Sequence, residues 1–495
     1  MSPNQSSQQH PRTVRIAIVG AGFSGIGLAL KLRAAGHSDL VVYERASDVG
    51  GTWFHNSYPG AACDAPSHVY SYSFAQDVEW SRRFAPGPEI RAYLRRCVDD
   101  GGIDRLIQTG ADVISARWTG DGWSILLADG RQDRADVLIP AVGQLTAPSV
   151  PDVPGLREFR GPSFHTAEWR HDVDLRGKRV AVIGTGASAI QVIPAIAPEV
   201  SHLSVFQRSA PYVLIKSDVA YSTKLHRRYR AVPLLKYAAR QAIWSYLELV
   251  TAAFTRWPTG LRVLERYHDH ILSSDIADPE LRARLKPNFR IGCRRILISD
   301  DYYATLARED VTLVTDRVEA VRGDAIVTTS GEYPVDVIVF ATGFITTPFV
   351  STIAIYGRSG LALAAKWADR SGAFLGLSVP GFPNMFLMYG PNTNLGSGSI
   401  IYMLEAQADH IVDAVNIIAA DPKAVVEVTE GAYRKFLSDT ERRQRKTVWA
   451  GCRSWYHDEQ GRDTHNWPGL MSTYRRRSRR VRRADYTVTR SDGGI

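Results

Sequence analysis

Two glycine loops carry the clearest chemistry in this sequence: GAGFSG at Gly20–Gly25 and GTGASA at Gly184–Ala189. Such a loop holds a pyrophosphate, because glycine lets the backbone turn tightly and approach the phosphates at a helix N-terminus. In the first loop Gly20 serves the turn, Gly22 the close approach and Gly25 the packing of helix on strand, with Phe23 and Ser24 between them. The next apolar run, DLVVYE, ends at Glu44, where a carboxylate accepts hydrogen bonds from both hydroxyls of an unphosphorylated ribose. That ending predicts FAD. The second loop (Gly184, Thr185, Gly186, Ala187, Ser188, Ala189) has alanine in third place, and its following run ends in Gln207-Arg208-Ser209 rather than an acid. A guanidinium and a hydroxyl there suit a 2′-phosphate, so this loop predicts NADPH. The two sites together imply a flavin and a nicotinamide bound by one chain. Between them lies FRGPSFHTAEWR, with Gly161, His165 and Trp169.

Each loop needs a strand before it and a helix behind it. VRIAIVG (14–20) and KRVAVIG (178–184) are β-branched and apolar, as strands buried on both faces should be. IGLALKLRAAG and ASAIQVIPAIA have helical spacing. The expected fold is α/β, with two Rossmann-like dinucleotide-binding domains (FAD and NADP) and a helical insertion in the second. The FAD-binding domain is expected to be discontinuous, 12–150 and 331–470, with the NADP-binding domain at 151–330 between its halves. The strand in GEYPVDVIVFATGF (331–344) is read as the return to the first domain. Residues 121–143 read as a hairpin and a buried strand, and 381–412 as a strand, a Gly-Pro turn and a helix. Residues 221–289 form the helical subdomain, its aromatic stripe expected in the core.

Composition bounds the function class. A 495-residue chain with 44% hydrophobic residues has room for two or three domains with large cores. No stretch reaches the ~18 uncharged apolar residues of an integral membrane span. The polar residues 1–11 read as a disordered lead-in, not a secretion signal. Cys63, Cys97, Cys293 and Cys452 are scattered without CxxC spacing, which argues against a metal site or a disulfide framework and for a reducing cytoplasm. Most of the formal +9 charge sits in the tail 471–495, where RRRSRRVRR occupies Arg475–Arg483. Without interleaved aromatics this tail does not read as a nucleic-acid site; it is expected to be solvated or to make peripheral contact with an anionic membrane surface.

From about Val14 to Trp467 the chain resembles flavin-dependent monooxygenases of the Baeyer–Villiger type, within the flavin-containing monooxygenase superfamily. The family pattern FxGxxxHxxxW is matched by Phe159, Gly161, His165 and Trp169, with Arg170 replacing the Pro or Asp that follows it. Relatives that oxidise nitrogen or sulfur usually have Tyr at the position of Trp169. The segment Gly50–Phe74 is similar to the one that wraps the flavin, which implies FAD contacts from Gly51, Thr52, Trp53, Asp64 and Tyr70, joined by Val113. For NADP the resemblance adds Gln191 and Arg294 to the second loop, Arg208 and Ser209. It places Arg295 at the catalytic arginine, and it implies that 451–469 closes over substrate.

The resemblance also implies the reaction. NADPH reduces FAD, O2 adds to form a C4a-peroxyflavin, and a small apolar ketone becomes an ester or lactone. Arg295 would hold the developing negative charge, Asp64 would pair with and steer it, and His165 would organise the hinge between domains. Two alternatives stay open: oxygenation of a thioether or amine, and a non-oxygenating flavoprotein or redox sensor. Against a disulfide reductase, Trp53 stands where the first cysteine of a redox pair would be expected. Oligomeric state is not legible.

Overall fold

The computed structural model describes residues 13–347, 349–421 and 423–491, so the lead-in at 1–11 lies outside the described residues. A four-stranded parallel sheet runs in the order Ile107–Gln108, Leu40–Tyr43, Ile16–Val19, Val137–Pro140. Because strand side chains alternate, Ile16 and Ile18 join one core with helix Phe23–Ala34, while Ala17 and Val19 face a second core. That second core is closed by strands Ala354–Tyr356, Val113–Trp118, Trp123–Leu127 and Gln132–Ala135. Burying each large apolar side chain there contributes about 1.5–3 kcal/mol.

The second parallel sheet has the order Val311–Val314, His202–Phe206, Arg179–Ile183, Val337–Phe340, Ser163–His165. This corrects one boundary. The strand Val337–Phe340, expected to belong to the first domain, pairs with Arg179–Ile183 in the second. Asp336 fixes it there by accepting from the Arg179 backbone N–H at 2.8 Å and from its guanidinium. The three-stranded ribbon Val318–Arg322, Ala325–Thr328, Glu332–Pro334 precedes it, so the chain crosses back only beyond Phe340. The hairpin and buried strand expected in 121–143 are present. Within 381–412 the helix is Ile400–Ala420, but the expected strand is an extended run tied to Val137–Pro140 by Phe386 N–H to Leu138 O and Met388 N–H to Pro140 O.

Three other expectations change. The insertion is helical (Thr223–Ala231, Pro233–Arg256, Arg262–Asp275, Pro279–Arg284), but only part of its aromatic stripe is in the core: Trp244 and Phe254 pack inward, while Tyr237, Tyr246, Trp257 and Tyr267 point to solvent. The described part of the basic tail, 471–491, is folded: helix Met471–Ser478 packs on Ile400–Ala420, and Tyr486–Arg490 pairs antiparallel with Ala424–Val428. Met471, Tyr474 and Tyr486 are buried, and this apolar set was masked in the sequence by the arginines between them. Finally, Cys293 and Cys452 form a disulfide across 159 residues, with Cα atoms 5.4 Å apart. Only the fold brings these two loops together, so local spacing held no signal, and the inference of a reducing compartment loses its basis. No helix among the described residues is long and apolar enough to cross a membrane.

Candidate active site

A single cavity of about 1560 Å³ lies between the two sheets, and both glycine loops open into it. Gly20 has φ +110°, and a Cβ there would stand 2.7 Å from the Ala141 carbonyl. Gly184 repeats the arrangement with φ +114° and a contact of 2.4 Å to the Ala341 carbonyl. The helices behind the loops, Phe23–Ala34 and Ala189–Ile196, have no side-chain cap and no acid in the first turn. Their leading N–H groups are available to phosphate, as a dinucleotide requires. Glu44, 5% exposed, is held at the cavity wall by N–H groups of Ala21 (2.7 Å) and Ala46 (2.9 Å).

At the other end, Arg208 and Arg294 line the cavity with Ser209 between them. Arg294 donates to Ser209 Oγ at 2.6 Å and lies 4.4 Å from the Phe289 ring centre. Burial, and then the charge of Arg208, weaken Arg294's hold on its proton. Neither arginine has a carboxylate partner among the described residues. A dianionic phosphate would relieve that repulsion.

Arg295 reaches across to the first unit. Its Nε and Nη2 donate to Asp64 Oδ2 at 2.8 and 2.6 Å. About a third of each side chain is accessible, and both line the cavity. The Asp64 carboxylate raises the proton affinity of Arg295, outweighing the cost of its burial. Asp64 is adjacent to Cys63, whose thiol is pushed up by burial first and by Asp64 second, and so stays protonated.

Residues 13–356 match the family model described as flavin-binding monooxygenase-like. The chain belongs to that family. A Baeyer–Villiger monooxygenase of Streptomyces coelicolor is 41% identical over 498 residues, covering 99% of this chain and 95% of the relative. A steroid monooxygenase solved with NADP superposes with a TM-score of 0.85 at 31% identity, over 94% of this chain and 97% of that one. OTEMO, solved in complex with FAD and NADP, superposes with a TM-score of 0.87 at 26% identity, over 97% of this chain and all of the other.

In this flavin-binding monooxygenase-like chain, the fold brings most of the expected site residues to one cavity. Gly22, Phe23, Ser24, Gly51, Thr52, Trp53, Tyr70 and Val113 line its first half. Trp53 Nε1 donates to the Tyr70 hydroxyl at 3.2 Å, and the Tyr70 ring packs edge-on against Phe23. Thr185, Gly186, Ala187 and Ser188 line the second half, with Thr185 donating to the Ser209 carbonyl. Gln191 also touches the cavity, but its amide is committed elsewhere. It accepts from Tyr58 Oη and donates to the Ala62 carbonyl, both at 2.8 Å, clamping the 58–62 loop onto the second unit. Gly25 and Ala189 do not line the cavity: a Cβ on Gly25 would lie 1.8 Å from the Gly20 carbonyl, and Ala189 is fully buried.

His165 is not a cavity residue either. It ends a strand of the second sheet, 1% exposed, and its Nδ1 accepts from the Ala167 N–H at 3.1 Å. Its ring lies edge-on to Phe344, which does line the cavity. Burial lowers its pKa, which favours the neutral imidazole. Trp169 packs edge-on against Phe164, and Arg170 pairs with Asp172 at the surface.

Two phenols near Arg295 were missed: Tyr389, which lines the cavity, and the fully buried Tyr456. Burial raises the pKa of both, so they are neutral hydroxyls beside the guanidinium. Tyr389 adopts φ +60° and donates to Asn394 Oδ1 at 2.7 Å, and Asn394 in turn donates to Asn466 Oδ1 at 3.0 Å. This links the GPNTN turn to the 451–469 loop. A signal existed in the Gly-Pro-Asn run, where left-handed backbone is expected, but nothing in the sequence aims Tyr389 at Arg295.

Proposed function

We propose that this enzyme inserts one oxygen atom from O2 beside the carbonyl of a small apolar ketone, giving an ester or lactone, with FAD and NADPH as cofactors. The observation that carries the reading is the Asp64–Arg295 pair, which shares a cavity with both glycine loops. FAD, when bound, supplies the oxygen-activating chemistry, and NADPH the hydride. The chain's own residues supply position and charge. The first loop and Glu44 seat the adenosine diphosphate portion of FAD; the second loop, Arg208, Ser209 and Arg294 seat the 2′-phosphate of NADPH.

Arg295 supports carbonyl chemistry specifically. Oxygen insertion into a ketone needs negative charge held on the attacking oxygen and on the tetrahedral adduct. A guanidinium that cannot lose its proton stabilises both in a water-poor cavity. Asp64 is its positioning partner, keeping the guanidinium at the cavity wall. His165 acts at one remove, ordering the backbone near Phe344.

The test is direct. The holoenzyme is given NADPH and O2 with matched ketones and thioethers, and products are identified by mass spectrometry. Ester or lactone formed with coupled NADPH consumption supports the proposal. Sulfoxide alone overturns it in favour of heteroatom oxygenation, and no substrate-dependent oxygen uptake overturns oxygenation altogether.

A further inference from the structure

The long helix Pro233–Arg256 buries Trp244, Leu247 and Phe254 on its inner face, yet its outer face is apolar as well. Three of its four charged residues also turn into the protein: Lys236 Nζ donates to the carbonyls of Gln76 and Val78, Arg240 to those of His68 and Ser71, and Glu248 accepts from the N–H groups of Met471 and Ser472. Its outer face carries Leu235, Ala238, Ala242, Tyr246 and Leu249, a spacing that keeps them on one stripe. Leu234 is 71% exposed, Leu249 and Tyr246 65% each, and beyond the helix Trp257 and Val263 continue the pattern. A water-facing helix carries polar residues on its outer face, so this stripe requires an apolar cover.

Charge identifies the cover. Exposed Lys224, Arg227 and Arg228 stand before the stripe, and exposed Arg256, Arg262 and Arg266 after it. The basic tail adjoins the inner side of the same helix, since helix Met471–Ser478 starts on the inward-facing Glu248 carboxylate. Exposed Arg476, Arg479, Arg480 and Arg482 of that tail have no carboxylate partner among the described residues and line a cavity of about 590 Å³.

We propose that this face docks on an anionic lipid bilayer, with the leucines and aromatics entering the headgroup region and the arginines meeting lipid phosphates. Apolar anchors ringed by guanidinium groups are the pattern such a surface selects. A second copy docked by twofold symmetry would press arginine against arginine. A nucleic acid would satisfy the arginines but leave the leucines in water.

The holoenzyme is sedimented with vesicles of phosphatidylcholine alone or mixed with phosphatidylglycerol. Binding to the mixed vesicles, falling at least tenfold in the Leu235→Glu/Leu249→Glu double variant, supports the proposal. The variant must keep its flavin absorbance; if it does not, the milder Leu234→Ser/Leu235→Ser pair replaces it. An Arg476→Gln/Arg479→Gln/Arg480→Gln variant is expected to bind more weakly and with a shallower salt dependence. Unchanged binding in both sets overturns the proposal. So does no vesicle binding, whether accompanied by a dimer in light scattering that Leu235→Glu/Leu249→Glu dissolves or by retention of a single-stranded oligonucleotide.

Discussion

Arg295 joins Asp64 across the two halves of the molecule by placing Nε and Nη2 on the same carboxylate oxygen, at 2.8 and 2.6 Å. Two donors on one oxygen pin the guanidinium plane, and both residues line the cavity. Replacing Arg295 with Ala is expected to lower the oxygenation kcat by roughly 10²–10³, the scale of losing one preorganised charge. Anaerobic reduction of the flavin by NADPH should persist, because the loops and Arg208 remain. Lys at 295 restores charge without the planar fork and should recover only part of the loss. Rapid mixing and product quantification separate the two half-reactions; wild-type ester yield in Arg295→Ala would remove this residue from the chemistry.

Arg208 and Arg294 repel each other in the absence of an anion, and that repulsion makes cofactor choice testable. Hydrogen bonds to a charged group contribute about 1.5–3 kcal/mol, so Arg208→Ala should raise the KM for NADPH by about 10–100-fold. The KM for NADH should scarcely move. Equal losses for both cofactors would show that Arg208 does not read the 2′-phosphate.

What could be read from the sequence was local. Strand, glycine turn, helix and terminal residue lie within one βα unit, so the roles proposed for Gly20, Glu44, Gly184 and Arg208 follow from order along the chain. Contacts made by tertiary packing left no such trace. The membership of Val337–Phe340 depends on Asp336 finding Arg179, and the inward turn of Lys236 and Arg240 on carbonyls far away in sequence. The Cys293–Cys452 bridge is of the same kind. Arg295 and Asp64 were legible only through family resemblance, since no period or spacing pairs them.

That bridge holds the turn bearing Arg294 and Arg295 against the 451–469 loop, so it should matter for both stability and substrate capture. Titrating the unfolded, unreduced protein should give two thiols, Cys63 and Cys97. Reduction, or Cys452→Ser, should cost about 2–4 kcal/mol, read as a lower denaturation midpoint. A freed loop closes less often over the cavity, and KM for the ketone should rise more than kcat falls. An unchanged midpoint after complete reduction would show that the link constrains nothing.

Acid stability follows from four histidines, His68, His268, His410 and His465, buried to 4% exposure or less. Burial lowers each from its ordinary value to about 4. The folded state therefore prefers them neutral, while the unfolded chain takes up protons below about pH 6.5. Their contribution is complete above that value and is lost as pH falls towards 4, at most about 3.5 kcal/mol per histidine at ~1.4 kcal/mol per unit. Denaturation midpoints should be flat from neutral pH upward and fall steeply between pH 6.5 and 4. His410 is the informative substitution, because its Nδ1 and Nε2 lie 2.8 and 3.0 Å from Ser478 O and Tyr486 Oη, tying the basic tail to helix Ile400–Ala420. His410→Gln should lower stability at neutral pH and flatten the acid limb, since one proton-uptake site disappears from the unfolded chain. An acid limb as steep as that of the parent would assign the pH dependence to carboxylates instead.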